Sequence, residues 1–242
     1  MNISSLLEAL YNTELKTRDY SGVGTDYRRR LGGGTKTKTI GAGTRSNVAD
    51  DKTDPHLVRK YNPSAVPENG ADGFGKFFEW IANNKIENRY LPRVYKVQKN
   101  RNPKTGYIAY SYRMEKLIPL RKLNAEEMIA LLSNCIDLNG IYHRYISRED
   151  DNEVTQDVLI REYELLMYYS LKYVDSYVVG AITEHTFITD EELLKAIEIL
   201  QKYVKDNFDG NYIAAGSDLH EGNFMARRTQ HGLQLVISDP FW

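Results

Sequence analysis

Cysteine, net charge and long apolar runs are all scarce in this sequence, and each shortage excludes a class of protein. The single cysteine, Cys135, cannot form an internal disulfide, as is usual in a reducing cytoplasm, and its apolar neighbours predict a buried thiol rather than a nucleophile. Because 32 basic side chains are matched by 33 acidic ones, for a net charge of −1, no global field attracts nucleic acid or an anionic membrane. The apolar runs fall short of the ~20 residues that cross a bilayer, and the N-terminus lacks the apolar core of a signal peptide. We therefore expect a cytoplasmic protein whose composition disfavours membrane and nucleic-acid partners.

The chain divides into three zones by pattern. Its 242 residues, 41% hydrophobic and 27% charged, suffice for one globular domain or two tightly joined lobes. Residues 1–31 are an N-terminal extension, with a helix predicted at 4–15 and a basic turn at 28–30 that is better explained by solvation than by nucleic-acid binding. Strand patterns dominate residues 32–117, and helical patterns dominate residues 118–242.

The last quarter of the chain contains a pattern typical of phosphoryl transfer. Asp218 is followed five residues later by Asn223, and Asp239 follows an apolar run. The first Asp can orient or deprotonate an attacking hydroxyl, while the Asn and the second Asp can hold the magnesium ions that bridge nucleotide phosphates. Carboxylate and amide oxygens are the ligands that Mg²⁺ prefers. The spacing therefore predicts an ATP-dependent and Mg²⁺-dependent site.

A glycine-rich loop follows the first predicted strand. Gly41, Gly43, Ser46 and Val48 fit the pattern G-x-G-x-x-S-x-V, and glycine lets the backbone approach a phosphate without a Cβ in the way. By itself the pattern fits a glycine-rich hairpin turn more often than a phosphate site. A dinucleotide-binding fold is disfavoured, because residues 50–55 break the helix that it requires.

A lysine and a glutamate follow at the spacing of a nucleotide kinase. Lys60 lies near the end of a strand predicted at 56–61, where such enzymes keep the lysine that contacts the α- and β-phosphates. Glu79 lies on a helix predicted at 70–82, beside its apolar stripe, so it can pair with Lys60 across a cleft. Glu87 is the substitute for this role, and the alternative for each residue is an ordinary exposed side chain.

The next segments predict a hairpin and then a hinge. Residues 91–97 and 107–114 alternate like paired strands, and the residues 102–106 between them form a turn. The segment that follows is the predicted hinge between two lobes. Main-chain groups from Glu115 to Leu117 are expected to hydrogen-bond the edge of an adenine there.

Three helices are predicted after the hinge. The first covers 124–137 with Asn124 as its cap, and the second covers 158–179. The third opens with a capping box at 189–192 and ends at Asp209 and Gly210.

The five features occur in the order glycine loop, strand lysine, helix glutamate, D-x-x-x-x-N and terminal Asp. In this order the chain resembles the protein-kinase-like superfamily over residues 35–242, and it is most similar to the early serine/threonine kinase of short-tailed coliphages. That family has a similar glycine loop, a D-x-H-x-G-N catalytic loop and an I-T-D-P segment like the one around Asp239. The resemblance implies an α+β, bilobal protein-kinase-like fold with a β-rich N-lobe and a reduced helical C-lobe. It also implies a virus-encoded enzyme that acts on host cytoplasmic proteins.

The sequence departs from the kinase pattern at three positions and at its end. Ser217 precedes the catalytic Asp in place of Arg, which disfavours regulation by activation-loop phosphorylation. His220 stands where protein kinases carry a lysine, and it fits either a direct phosphate contact or a supporting role. Pro240 removes a backbone donor. Since the sequence stops three residues after Asp239, either a reduced C-lobe supplies another substrate platform or a further domain lies downstream.

Three functions remain open from the sequence. The first is a serine/threonine protein kinase in which Asp218 positions the hydroxyl, Lys60 binds phosphate, and Asn223 and Asp239 hold Mg²⁺. The second is a small-molecule phosphotransferase, which His220 and the missing activation segment favour. The third is a non-catalytic module that binds a host protein, against which the intact motif residues argue.

Overall fold

Two antiparallel sheets and seven helices form the described part of the chain. The computed structural model describes residues 39–42, 47–61, 73–147, 154–215 and 219–241. This mixture of strands and helices confirms the α+β class. The predicted N-terminal extension, with its helix and basic turn, lies outside the described residues, as do Gly43, Ser46 and Asp218.

The larger sheet has five strands in the order β1-β2-β3-β5-β4. Its strands are β1 (Thr39–Ala42), β2 (Asn47–Asp50), β3 (Leu57–Tyr61), β4 (Val94–Arg101) and β5 (Ile108–Glu115). All neighbours pair antiparallel. Every second side chain of β5 is buried, the alternation expected of a strand with one face on a core. The predicted hairpin between β4 and β5 is confirmed, and its turn contains Gly106 at φ 70°, where a side chain would be strained.

One helix, α1 (Gly73–Asn83), lies between β3 and β4 in the chain. Its aromatic residues Phe74, Phe77 and Phe78 are buried, which confirms the predicted apolar stripe. The ring of Phe74 meets Tyr112 of β5 edge-on, with 4.8 Å between the ring centres. Phe77 packs on Phe241, so α1 also contacts the C-terminal end of the described chain.

We expect Gly75→Ala to destabilise the protein despite the better helix propensity of alanine. A Cβ at Gly75 would clash with the hydroxyl of Tyr112 and lie 2.9 Å from Cγ of Tyr110. Overpacking of this kind costs about 1–3 kcal/mol, more than the propensity gain of about 1 kcal/mol. Urea denaturation measures the difference, and adding Tyr112→Phe should recover part of the loss. An unchanged midpoint would contradict this close approach.

The remaining helices follow residues 115–120, the segment predicted as a hinge and called the hinge segment below. They are α2 (Ala125–Ser133), α3 (Leu138–Ile141), α4 (Gln156–Arg161), α5 (Tyr163–Val178), α6 (Glu191–Phe208) and α7 (Tyr212–Ala215). A π-helical turn, Tyr142–Ile146, follows α3. Within the described ranges, no helix is both long and apolar enough to cross a membrane.

The helix ends correct several predictions. Asn124 caps α2 in a capping box with Glu127, as predicted, but α2 ends at Ser133. The helix predicted over 158–179 is instead two helices, because the backbone of Glu162 departs from helical geometry at φ −97° and ψ 18°. Asp190, not Thr189, caps α6 by accepting hydrogen bonds from two backbone N–H groups. The predicted stop of α6 is confirmed by the left-handed backbone of Asp209.

A second, three-stranded sheet combines one strand that precedes the helices of residues 125–215 with two strands that follow them. Its strands are β6 (Ile118–Pro119), β7 (Phe224–Thr229) and β8 (Gly232–Ile237), in the order β6-β7-β8. β6 follows β5 after two residues, and a 3-10 turn, Leu120–Lys122, follows β6. The pairing of β6 with β7 therefore places the hinge segment beside the strand that directly follows Asn223.

Cys135 confirms the prediction of a buried thiol. Only 1% of the residue is exposed, and burial raises the pKa of the thiol to about 12. Because the thiolate is the reactive form, Cys135 is chemically inert at neutral pH and serves as core packing.

Candidate active site

Two predicted site residues meet in an ion pair. Nζ of Lys60 lies 2.5 Å from Oδ2 of Asp239, although the two residues are 179 positions apart in the chain. Their side chains are 10% and 28% exposed, respectively. Lys60 lies near the end of β3 and Asp239 lies two residues beyond β8. The pair therefore joins the two sheets at a partly enclosed position, where opposite charges attract each other more strongly than in open water.

The ring of Phe74 also contacts this lysine. Nζ of Lys60 lies 3.8 Å from the centre of the ring, close enough for a cation–π interaction. Together, Phe74 and Asp239 hold the ammonium group from two sides. The sequence contained no signal for this contact beyond the apolar stripe of α1.

Asn223 is held next to Asp239 by the β7–β8 hairpin. Phe224 and Ile237 are paired in the hairpin register, and beyond them both the backbone N–H and the hydroxyl of Ser238 donate to the carbonyl oxygen of Asn223, at 2.7 and 2.9 Å. The two predicted metal ligands thus lie at the open end of one hairpin.

This donor set fits Mg²⁺. A carboxylate and an amide oxygen are hard ligands, and Mg²⁺ is usually held by few protein groups, with water and phosphate completing its shell. The described residues contain no cluster of three or more His, Cys, Asp or Glu side chains. A carboxylate and an amide oxygen are ligand types of a magnesium ion, whereas structural zinc sites use Cys and His.

The register of the larger sheet brings further predicted residues together. Gly41 pairs with Val48, Val48 pairs with Lys60, and Lys60 pairs with Tyr112. The start and end of the glycine-rich loop therefore lie in one row across the sheet with the strand lysine. Gly43 and Ser46, the middle of the loop, lie outside the described residues.

The predicted pairing of Glu79 with Lys60 is not formed. Oε2 of Glu79 accepts a hydrogen bond from the hydroxyl of Tyr110 at 3.2 Å and lies 3.5 Å from Nζ of Lys99. Phe74 faces Lys60 instead, and five residues along a helix turn Glu79 by about 140° away from that direction. The substitute, Glu87, is exposed beyond the end of α1.

Glu79 therefore belongs to a separate cluster on the larger sheet. The hydrogen bond with Tyr110 is the main reason why the pKa of Lys99 is raised, and Glu79 adds to it. Burial raises the pKa of Tyr110. Both groups thus keep their protons at neutral pH, and the cluster is an ion pair reinforced by a phenol.

His220 shapes the loop that carries Asn223. Its Nδ1 accepts a hydrogen bond from the backbone N–H of Gly222 at 3.0 Å, so the neutral ring carries its proton on Nε2. A Cβ at Gly222 would lie 2.7 Å from Cε1 of the ring, which explains the glycine. His220 is exposed, and its carbonyl oxygen accepts from the N–H of Asn223. Asp218, two residues earlier, lies outside the described residues.

The predicted adenine contacts, Glu115 and Leu117, are placed differently from one another. The N–H of Glu115 donates to the carbonyl of Arg93, and the N–H of Lys116 donates to that of His56. Leu117, in the short segment between β5 and β6, is therefore the residue of this segment whose N–H is best placed to serve a ligand.

The side chain of Glu115 forms a buried ion pair that sequence reasoning missed. Its oxygens accept from Nε of Arg227 at 2.7 Å and from Nη2 at 2.5 Å. The guanidinium also donates to the carbonyls of Arg89 and Leu91. Both residues are under 10% exposed, so this pair fixes the hinge segment to β7. Two adjacent arginines in one strand, Arg227 and Arg228, are the signal that could have revealed it, because successive side chains of a strand point to opposite faces and one of the two must face inward.

No protein-family model matches the chain, and no curated protein matches its sequence.

Proposed function

We propose that this protein is a serine/threonine protein kinase that transfers the γ-phosphate of ATP to host proteins in the bacterial cytoplasm. In this proposal residues 32–117 form an N-lobe, residues 118–242 form a reduced helical C-lobe, and the nucleotide binds between them. The observation that carries the proposal is the contact between Lys60 and Asp239. The strand lysine and the terminal Asp, two motifs far apart in the chain, are in contact. A Mg-nucleotide requires a cation for its phosphates and a carboxylate for its metal ion at one place.

A Mg-nucleotide can replace the Lys60–Asp239 ion pair with two new charge pairs. Phosphate oxygens offer the ammonium of Lys60 an anionic partner, and Mg²⁺ offers the carboxylate of Asp239 a cationic one. The exchange leaves no charge without a partner, which matters because both groups are partly buried. Asn223, held beside Asp239 by the carbonyl contact with Ser238, adds a second oxygen toward the metal.

The remaining residues complete the transfer. Bound Mg²⁺ would neutralise charge on the β- and γ-phosphates. Asp218 accepts the proton of the substrate hydroxyl as its oxygen bonds to the γ-phosphorus, while the bond from that phosphorus to the bridging oxygen breaks and ADP leaves. In this proposal His220, on the same loop, donates from Nε2–H to a phosphate oxygen, and the N–H of Leu117 serves the adenine edge.

Transfer of labelled γ-phosphate from Mg-ATP into a bacterial lysate tests this proposal. We expect labelled protein bands with the wild type that disappear with Asp218→Ala, because the attacking hydroxyl is no longer oriented or deprotonated. Asp206→Ala, an exposed aspartate paired with Lys202 on α6, is the matched control and should label the same bands. Label that enters only small molecules would point to the phosphotransferase alternative. The absence of any label with the wild type would contradict kinase activity.

A further inference from the structure

A groove of about 680 Å³ lies at the end of β5, beside the segment that joins β5 to β6. Its walls are residues 54–57, which lead into β3, and residues 115–119, which join β5 to β6. Arg93, Lys122 and Arg228 extend into it from three other elements. We call it the basic groove.

The basic groove is separate from the Lys60–Asp239 pair. Leu57 lines the groove, whereas Lys60, three residues further along β3, faces α1 and Asp239. Successive side chains of a strand point to opposite faces, so an odd separation places these two residues on opposite faces of the sheet. A ligand in the groove would leave the Lys60–Asp239 pair open, but it would lie close to the adenine of the proposed nucleotide site, because Leu117 also lines the groove.

The charge of the basic groove is opposite to that of the chain. Six of its lining residues are Arg or Lys and two are Asp or Glu, although the chain has a net charge of −1. A local excess of this kind focuses positive potential in a concave site and attracts anions at short range.

Half of these cations are already in ion pairs. Arg227 pairs with Glu115, Arg113 pairs with Asp51, and Lys116 pairs with Asp50. These pairs are part of the fold, and they account for three of the six positive charges.

The other three cations have no such partner in the described part of the chain. Arg93, Lys122 and Arg228 are exposed, and none forms an ion pair with a described residue. They come from the residue before β4, from the 3-10 turn after β6 and from β7, so three separate elements direct a positive charge to one groove.

The rest of the lining favours a polypeptide over a nucleic acid. Pro55, Leu117, Ile118 and Pro119 give the groove an apolar surface, and Tyr95 beside it is 59% exposed. Nucleic-acid sites combine long tracks of phosphate contacts with several stacking rings, and the described lining of this groove contains two aromatic rings, those of Tyr95 and His56. Apolar contacts between cationic side chains suit a peptide in which acidic and apolar residues alternate.

We infer that the basic groove binds an acidic segment of the protein substrates and so selects which proteins are phosphorylated. This inference rests on the proposed kinase function. Because groove and ion-pair site lie on opposite faces, the acidic segment lies at a distance from the phosphorylated hydroxyl in the substrate.

Fluorescence anisotropy with a short fluorescein-labelled peptide of alternating Asp, Glu and Leu tests the inference. The full chain should bind it saturably, and salt should weaken the binding. The triple variant Arg93→Glu/Lys122→Glu/Arg228→Glu should bind at least about tenfold more weakly, since three favourable charge contacts become repulsive. The milder variant Arg93→Gln/Lys122→Gln/Arg228→Gln removes the three charges without reversing them. It replaces the triple variant in the test if circular dichroism shows that charge reversal impairs folding.

The matched control reverses three exposed cations outside the groove: Lys104→Glu/Arg144→Glu/Lys205→Glu. It has the same net charge as the triple variant, so equal peptide binding by the two would overturn the inference. Absence of saturable binding by the wild type would overturn it as well. Tighter binding of a labelled single-stranded DNA, lost in the triple variant, would make the groove a nucleic-acid site.

The anisotropy measurement needs no phosphate transfer, which separates the two proposals. Peptide binding that follows the variants, in a protein that transfers no phosphate to lysate, would support the groove and contradict the kinase function. Transfer with no peptide binding would do the reverse.

Discussion

Asp239→Asn is expected to slow phosphate transfer at least about a hundredfold, the size typical of losing one preorganised charge at a reacting centre. The substitution keeps the shape of the side chain but removes the charge that contacts Lys60 and that we propose for Mg²⁺. Asn223 then remains as the metal ligand of the hairpin. Initial rates of γ-phosphate transfer, measured at increasing Mg²⁺, should show partial recovery at high metal concentration, because the defect is in metal affinity.

Asp206→Asn provides the matched control for this prediction. Asp206 is also paired with a lysine, at 2.8 Å, but on the exposed surface of α6, so its neutralisation should leave the rate unchanged. Equal rates for wild type and Asp239→Asn would show that the contact with Lys60 is a structural ion pair without a role in transfer.

Glu115→Ala is expected to destabilise the protein by about 3–5 kcal/mol, the cost of leaving one member of a buried ion pair without its partner. Glu115 and Arg227 are 8% and 6% exposed, so water cannot replace the lost carboxylate. The unfolding free energy from urea titration, followed by circular dichroism, measures this loss directly.

The neighbouring residue gives a control for the effect of burial. Lys116 pairs with Asp50 at 2.6 Å, but both side chains are nearly half exposed, so Lys116→Ala should cost no more than about 1 kcal/mol. The double variant Glu115→Leu/Arg227→Met should recover part of the loss, because the buried charge is removed. Full recovery is not expected, since the carbonyls of Arg89 and Leu91 also lose their donor. Equal losses for Glu115→Ala and Lys116→Ala would contradict the buried pair.

The elements of this fold were predicted well where their signal lies in neighbouring residues of the sequence. The alternation of β5, the aromatic stripe of α1, the cap at Asn124 and the stop at Asp209 each depend on neighbouring residues, and the structure has all of them. The break at Glu162 has no such signal, because the residues around it are acceptable helix formers.

The site was predictable as a set of motifs but not as a set of contacts. Lys60 and Asp239 could each be identified from its own segment, yet their meeting depends on how β3 and β8 are placed, which no local pattern encodes. Glu79 was assigned to Lys60 from its spacing, and the helix phase instead turns Phe74 toward the lysine. The Glu115–Arg227 pair joins residues 112 positions apart, so neither residue alone indicated its partner.

The most direct test of the proposed Mg-ATP site is a calorimetric titration of the wild-type protein with ATP, once with Mg²⁺ and once with EDTA. We expect saturable binding of one ATP per chain that weakens in EDTA, because Asp239 and Asn223 act through the metal. Lys60→Met should weaken binding in both conditions, since the lysine contacts phosphate directly. A wild-type protein that binds no ATP with Mg²⁺ present would contradict the proposed nucleotide site.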